Sequence, residues 1–124
     1  MFNLAKLKFS KSILLIMGLT QKKCVPCETG TPKLKDREIQ EYLKQIKAWS
    51  LKTNHLYKKF KFKNFAEAMK FVNSMAQIAE AEGHHPDFAV HYNKVEVELW
   101  THAVNGLSEN DFILAAKIDN IKKV

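Results

Sequence analysis

Apolar residues recur along this chain with two different periods, and the switching between them lays out the fold. Ile39, Tyr42, Leu43 and Ile46 fall three or four apart, and Asp36 and Glu38 precede them at the positive end of a helix dipole. That spacing predicts a first helix over 36–47. Trp49 and Leu51 lead into a short extended segment, and Asn54-His55 has turn chemistry. Lys58-Lys59-Phe60-Lys61-Phe62-Lys63 alternates as a half-buried strand does, with its lysines expected on the solvated face. Asn64 followed by Glu67 is a capping-box pattern. It opens a second helix with the stripe Phe65, Ala68, Met69, Val72, Met75, Ala76 and Ala79, and Gly83 is placed to end it as a left-handed cap.

Beyond Gly83 the period falls to two. Phe88, Val90 and Tyr92 alternate with Ala89 and His91, and Val95, Val97, Leu99 and Thr101 alternate with Glu96, Glu98, Trp100 and His102. The shortest connection is a hairpin loop at Asn93-Lys94 with Tyr92 opposite Val95. Gly106-Leu107 makes a turn, Ser108 with Asp111 repeats the capping pattern, and Leu114, Ala115, Ile118 and Ile121 mark a last helix. The expected architecture is α+β, in the order αββαββα, with a four-stranded antiparallel sheet and helices packed on one face.

Composition narrows the function classes. A chain of 124 residues supports one core, and 46% hydrophobic with 27% charged residues is the balance of a globular protein. The net charge of +7 invites a nucleic-acid reading, but Lys6, Lys8, Lys11, Lys22 and Lys23 stand in the first 23 residues without any acid. From Cys24 onward 15 basic residues face 13 acidic ones, which is no phosphate-binding footprint, so no nucleic-acid partner is expected. Residues 1–23 read as a basic extension and 24–124 as a single domain, with periodic sequence starting near Leu34 after Thr29-Gly30-Thr31-Pro32. The apolar run 13–19 is far short of the ~20 residues that cross a bilayer. It lacks the arginine and the small-residue cleavage site of a targeting segment, so a cytoplasmic location is expected, with an N-terminal targeting segment as the lesser alternative. Met17 offers an alternative start. Cys24 and Cys27 are too few for a zinc site or a disulfide scaffold, and they precede the first regular element instead of opening a βαβ helix. Two reduced thiols in an arm are expected.

The chemistry concentrates in His84, His85 and His102. Continuing the predicted hairpin outward from Tyr92 and Val95 sets His85 opposite His102, with His84 beside them. Imidazoles exchange protons near neutral pH, so two or three together supply both an acid and a base. The carbonyls ending the second helix favour positive charge at that point, and Pro86 limits the wandering of the pair. Three histidines can also hold a catalytic zinc, but adjacent His84 and His85 point apart and no acid obviously completes the shell, so no metal is expected. On pairing alone, an exposed, hydrogen-bonded histidine pair remains the competing reading.

Glu80-x-x-x-His84-His85-Pro86, Tyr92-Asn93-Lys94-Val95, Thr101-His102, Gly106-Leu107-Ser108 and Asp111 together resemble the signature of the pterin-4a-carbinolamine dehydratases. The likeness extends from Cys24-Val25-Pro26-Cys27 through Glu38-Ile39 and Trp49 to Ile118-Asp119. It implies the αββαββα fold, a homodimer or a tetramer of two dimers, and dehydration of 4a-hydroxytetrahydropterin to the quinonoid dihydropterin, which returns the cofactor spent by aromatic amino acid hydroxylases. The pterin is then the substrate and no cofactor is implied. By position, His84, His85 and His102 correspond to the family's active-site histidines, Asp111 to its acid, Glu80 to the acid preceding them, and Trp49 to its pocket tryptophan. Thr101, Glu96 and Glu98 are candidates for pterin recognition. The same resemblance leaves two alternatives: a dimerisation and transcriptional-coactivator module, and a role near molybdopterin metabolism.

Overall fold

The computed structural model describes residues 18–26 and 31–122. The apolar run 13–17 and Cys27 lie outside them. Three helices, α1 (Asp36–Leu43), α2 (Phe65–Glu82) and α3 (Glu109–Asp119), accompany four strands, β1 (Ser50–Lys52), β2 (His55–Lys61), β3 (Asp87–His91) and β4 (Lys94–Leu99). All pairings are antiparallel and the spatial order is β1-β2-β4-β3, which is the predicted α+β architecture.

The helices cover one face. Leu56 and Phe60 of β2 and Val95, Val97 and Leu99 of β4 alternate inward into a core shared with Ala68, Phe71, Val72 and Met75 of α2 and Phe112, Leu114 and Ile118 of α3. Lys58 shares that inward face with Phe60, two residues away, so it is not on the solvated side as expected. Its ammonium pairs with Asp119 at 2.7 Å and lies over the Phe60 ring. The stripe of α2 also differs from expectation: Phe71 joins the core, whereas Phe65 and Ala76 are exposed.

Helix α1 stops four residues earlier than the pattern predicts. The backbone tightens where Gln45 N–H donates to the Tyr42 carbonyl at 2.9 Å, and Ala48 takes φ 60°. The Asp119 carboxylate accepts the Lys47 N–H and the Trp49 indole N–H. Ile46 and Trp49 are thereby buried by a turn that a longer helix would have carried past the core. The first hairpin turns at Thr53-Asn54, both in the left-handed region, one residue before the predicted position.

The second hairpin turns at Tyr92-Asn93, and Val90, not Tyr92, stands opposite Val95. A shift of two residues preserves which face each side chain occupies, so Val95, Val97 and Leu99 stay buried in either register, while Phe88 and Tyr92 at the sheet edge are exposed. The predicted pairing of His85 with His102 does not occur. The ladder stops at Asp87 opposite Glu98, and the chain then enters a 3₁₀ turn at His102–Val104, closed behind by a bridge between Thr101 and Gly106.

Helix α3 is buried all along Asn110–Ala116, a pattern that one sheet face cannot produce. The N-terminal segment supplies the other cover: the short turn Leu19–Gln21 packs against α3, and Leu19 and Cys24 join the core upstream of Leu34.

Candidate active site

The end of α2, the start of β3 and the 3₁₀ turn after β4 enclose a cavity of about 370 Å³ lined by Gly83, His84, His85, Pro86, Asp87, Trp100, His102 and Ala103. The three predicted histidines meet here by a route other than cross-strand pairing. Asn64 caps α2 by accepting the Glu67 N–H at 2.9 Å, and Gly83 ends the helix at φ 65°, a conformation that strains residues with a Cβ. That reversal delivers His84 and His85 to one rim. The Thr101–Gly106 bridge delivers His102 to the other.

His84 is 7% exposed, and its imidazole N–H at Nε2 donates to Asp111 Oδ1 at 2.6 Å. Asp111 is fully buried at 0% exposure. Its second oxygen, Oδ2, accepts the Ser108 N–H at 2.9 Å, completing the capping box of α3, and the Thr101 hydroxyl at 2.8 Å. The two roles considered for Asp111 therefore belong to its two oxygens. Thr101 lies behind His84, bonded also to the Ser108 hydroxyl at 2.8 Å, and is absent from the cavity lining. Such a closed network fixes the orientation and tautomer of the imidazole, because each member would leave a buried polar atom unpaired if it rotated.

His85 is exposed and bonds through Nε2 to Glu80 Oε1 at 2.8 Å, a hydrogen bond open to water. His102 is also exposed and is held by ring contact, its centroid 3.7 Å from that of Trp100. Trp100 stacks in turn with His55 at 4.3 Å and 14°, and its indole N–H donates to Asp87 Oδ2 at 3.1 Å. His55 is anchored by Nδ1 to Glu98 Oε2 at 2.7 Å.

Trp49 is not brought to this cavity. It is 8% exposed, edge-on to Phe60 and bonded to Asp119. The tryptophan on the cavity wall is Trp100, which sequence reasoning assigned only to the polar side of a strand. His55 and Asp87 were also missed. The signal for His55 was long-range: one step beyond the Leu56–Leu99 pair sets it opposite Trp100, a register that no hairpin loop specifies. Glu96 faces away, accepting the Tyr57 hydroxyl at 2.7 Å, and that hydrogen bond holds its carboxyl below the usual range. No group of three or more His, Cys, Asp and Glu side chains among the described residues is arranged to hold a metal ion. No helix among them is long and apolar enough to cross a membrane.

Comparison with known proteins places this arrangement in context. The family model described as pterin 4 alpha carbinolamine dehydratase matches residues 32–121. A protein of Rickettsia canadensis that carries the provisional name pterin-4-alpha-carbinolamine dehydratase is 50% identical over 104 residues, 82% of this chain and 95% of its own. One of Alkaliphilus metalliredigens with the same provisional name is 48% identical over 104 residues, again 82% of this chain and 94% of its own. The solved structure of a transcriptional coactivator/pterin dehydratase from Brucella melitensis superposes with a TM-score of 0.69 at 34% identity, covering 71% of this chain and 96% of that one.

Proposed function

From the premise that this chain belongs to the pterin 4 alpha carbinolamine dehydratase family, a family of hydro-lyases, we propose that it dehydrates 4a-hydroxytetrahydropterin by histidine acid–base catalysis. The observation that carries the reading is the convergence of His84, His85 and His102 on one cavity, with one of the three fixed by a buried carboxylate.

The reaction breaks the bond between C4a and its hydroxyl oxygen, and the oxygen leaves as water with one added proton. The adjacent ring nitrogen gives up its hydrogen and its electron pair closes the new C=N bond. One group must therefore donate a proton and another must take one. In His84 the Nε2–H is committed to Asp111, so a neutral ring presents a bare Nδ1, the form of a base, and the carboxylate orients it. The carbonyls ending α2 favour the positive charge that this ring acquires. His102, open to solvent and tilted at 35° against Trp100, is the counterpart that donates to the departing hydroxyl and is reprotonated from water. His85, with Glu80, binds and orients the substrate. The product is the quinonoid dihydropterin, and the physiological role that follows is recycling of the pterin cofactor of aromatic amino acid hydroxylases in the cytoplasm, by a homodimer or homotetramer.

Stopped-flow dehydration of a 4a-hydroxytetrahydropterin tests this directly. His84→Ala and His102→Ala are each expected to lower turnover by about 10²- to 10⁴-fold while leaving the oligomer, measured by light scattering, unchanged. Undiminished turnover in both variants would reject the histidine mechanism, and absence of turnover in the unaltered chain would reject the activity. A second reading, a protein-interaction module, is favoured by one observation, the coactivator function named for the Brucella protein. Under it the histidine variants keep every partner interaction and the reaction is incidental.

A further inference from the structure

The bond between His84 and Asp111 crosses a joint between two helices: α2 ends one residue before Gly83 and His84, and Asp111 is the third residue of α3. Anything that sets the spacing of that joint sets the geometry of the base. A direct tie exists in Lys117 of α3, whose ammonium meets Glu82 Oε2, the last residue of α2, at 2.5 Å. A second tie comes from a distant part of the chain. Cys24 N–H donates to the other Glu82 oxygen at 2.8 Å. The neighbouring residue, Val25, donates its N–H to Asn110 Oδ1 at 3.0 Å and accepts from Asn110 Nδ2 at 2.7 Å. Consecutive residues of one extended segment thus grip the end of α2 and the start of α3.

Around this grip, Lys22 pairs with Glu109 at 2.7 Å, and Lys23 donates to the Ala81 carbonyl at 3.2 Å. Burial alone would raise the Glu82 carboxyl, but the Lys117 ammonium and the Cys24 N–H outweigh it and hold the group below its ordinary range, so it stays an acceptor for both partners. Desolvation, followed by the charge of Glu82, pushes the Cys24 thiol up to about 12, which keeps it a neutral donor facing the Asn110 carbonyl at 3.5 Å. Every one of these contacts lands within three residues of His84 or Asp111, or at the far end of the Glu82–Lys117 tie. The match to the family model begins at residue 32, beyond this whole segment.

We infer that residues 22–26 form a strap that positions His84 against Asp111, so that Val25, Asn110 and Glu82 are positioning residues for the reaction. The inference rests on the dehydratase reading for its catalytic consequence only, because the geometry of the His84 ring can be measured without turnover.

The test is a double-mutant cycle on the full chain with Val25→Pro, which removes the N–H that meets Asn110 Oδ1, and Asn110→Ala. Stopped-flow kinetics give kcat and KM, and ¹⁵N-detected ring resonances report on His84 in the free protein. Val25→Pro is expected to lower kcat about ten-fold with KM within about two-fold, and to move the His84 ring signals, because small displacements of a proton-transfer group cost rate steeply. The double variant is expected to be no slower than the slower single one, since both remove the same clamp. The Val25 side chain is exposed and leaves the core untouched, so Val25→Pro decides the matter should Asn110→Ala fail to fold. A folded Val25→Pro protein with native kcat and native His84 signals would overturn the strap. An unaltered chain that lacks turnover, with His84 signals that still move in Val25→Pro, would sink the dehydratase reading and leave the strap standing.

Discussion

Two imidazoles share one cavity and are held there by opposite means. His84 is buried apart from its edge on the cavity and tied by a 2.6 Å hydrogen bond to a carboxylate whose every oxygen is engaged. His102 is exposed and leans on a column of rings, Trp100 and then His55, with one hydrogen bond from Trp100 to Asp87 and one from His55 to Glu98 at its margins. Hydrogen bonding in a dry network fixes both position and tautomer. Stacking fixes position but leaves both ring nitrogens free to exchange protons with water. The two devices suit a fixed base and a replenished acid. They also predict that the same substitution has different consequences at the two rims.

The largest contrast is the pair of alanine variants. Each is expected to lower kcat by about 10²- to 10⁴-fold, the usual weight of a general acid or base. Stability separates them. His84→Ala strips a buried oxygen of its partner and is expected to cost about 1–3 kcal/mol in urea unfolding, whereas His102→Ala stays within about 0.5 kcal/mol. Equal losses of stability would erase the distinction between the rims.

The sealed side also contains Cys24, and its reactivity gauges how sealed it is. In a Cys27→Ser background, where Cys24 is the sole thiol, alkylation at pH 8 is expected to run about 10³-fold slower in the folded protein than in urea. That ratio is the loss of thiolate implied by a shift from 9 to about 12. The sign for stability follows: the folded thiol holds its proton more tightly, so its contribution is whole below about pH 9 and disappears as pH rises toward about 12. Rapid alkylation in native buffer would show that the strap does not close over α3.

On the open side, Trp100→Ala removes the support of His102 and is expected to reduce kcat about ten-fold, while Trp100→Phe, which retains a stacking ring but not the N–H to Asp87, is expected to recover most of it. If both variants fall equally, the hydrogen bond and not the stack orients His102. The smallest effect is expected from Glu80→Gln. Its partner His85 and Glu80 itself are both largely in water, so a change in KM of no more than about two- to three-fold is expected in steady-state assays.

Elements with local signals were legible from sequence. The Asn64 cap, the Gly83 reversal, the Ser108–Asp111 capping box and the alternation of β4 each depend on residues a few positions apart, and the structure has them all. The motif that carries the family resemblance was legible for the same reason. Where competing local choices were nearly equal, sequence chose wrongly: Tyr92-Asn93 and Asn93-Lys94 both make two-residue loops and both keep Val95, Val97 and Leu99 on the inward face.

Tertiary structure alone decided which tryptophan reaches the histidines, because Trp100 stacks on His55, about 45 positions away in the chain, just beyond the β2–β4 ladder, while Trp49 is claimed by Asp119. It alone divided the oxygens of Asp111 between a helix cap and a histidine, since the second task needs His84 to arrive from the far end of another helix. And it alone turned an arm with no periodic pattern into a clamp, because hydrogen bonds from Cys24 and Val25 find their partners only after α2 and α3 have packed. Sequence specifies the short-range geometry of each element; the meeting of elements is set by the packing of their shared core, which no single segment encodes.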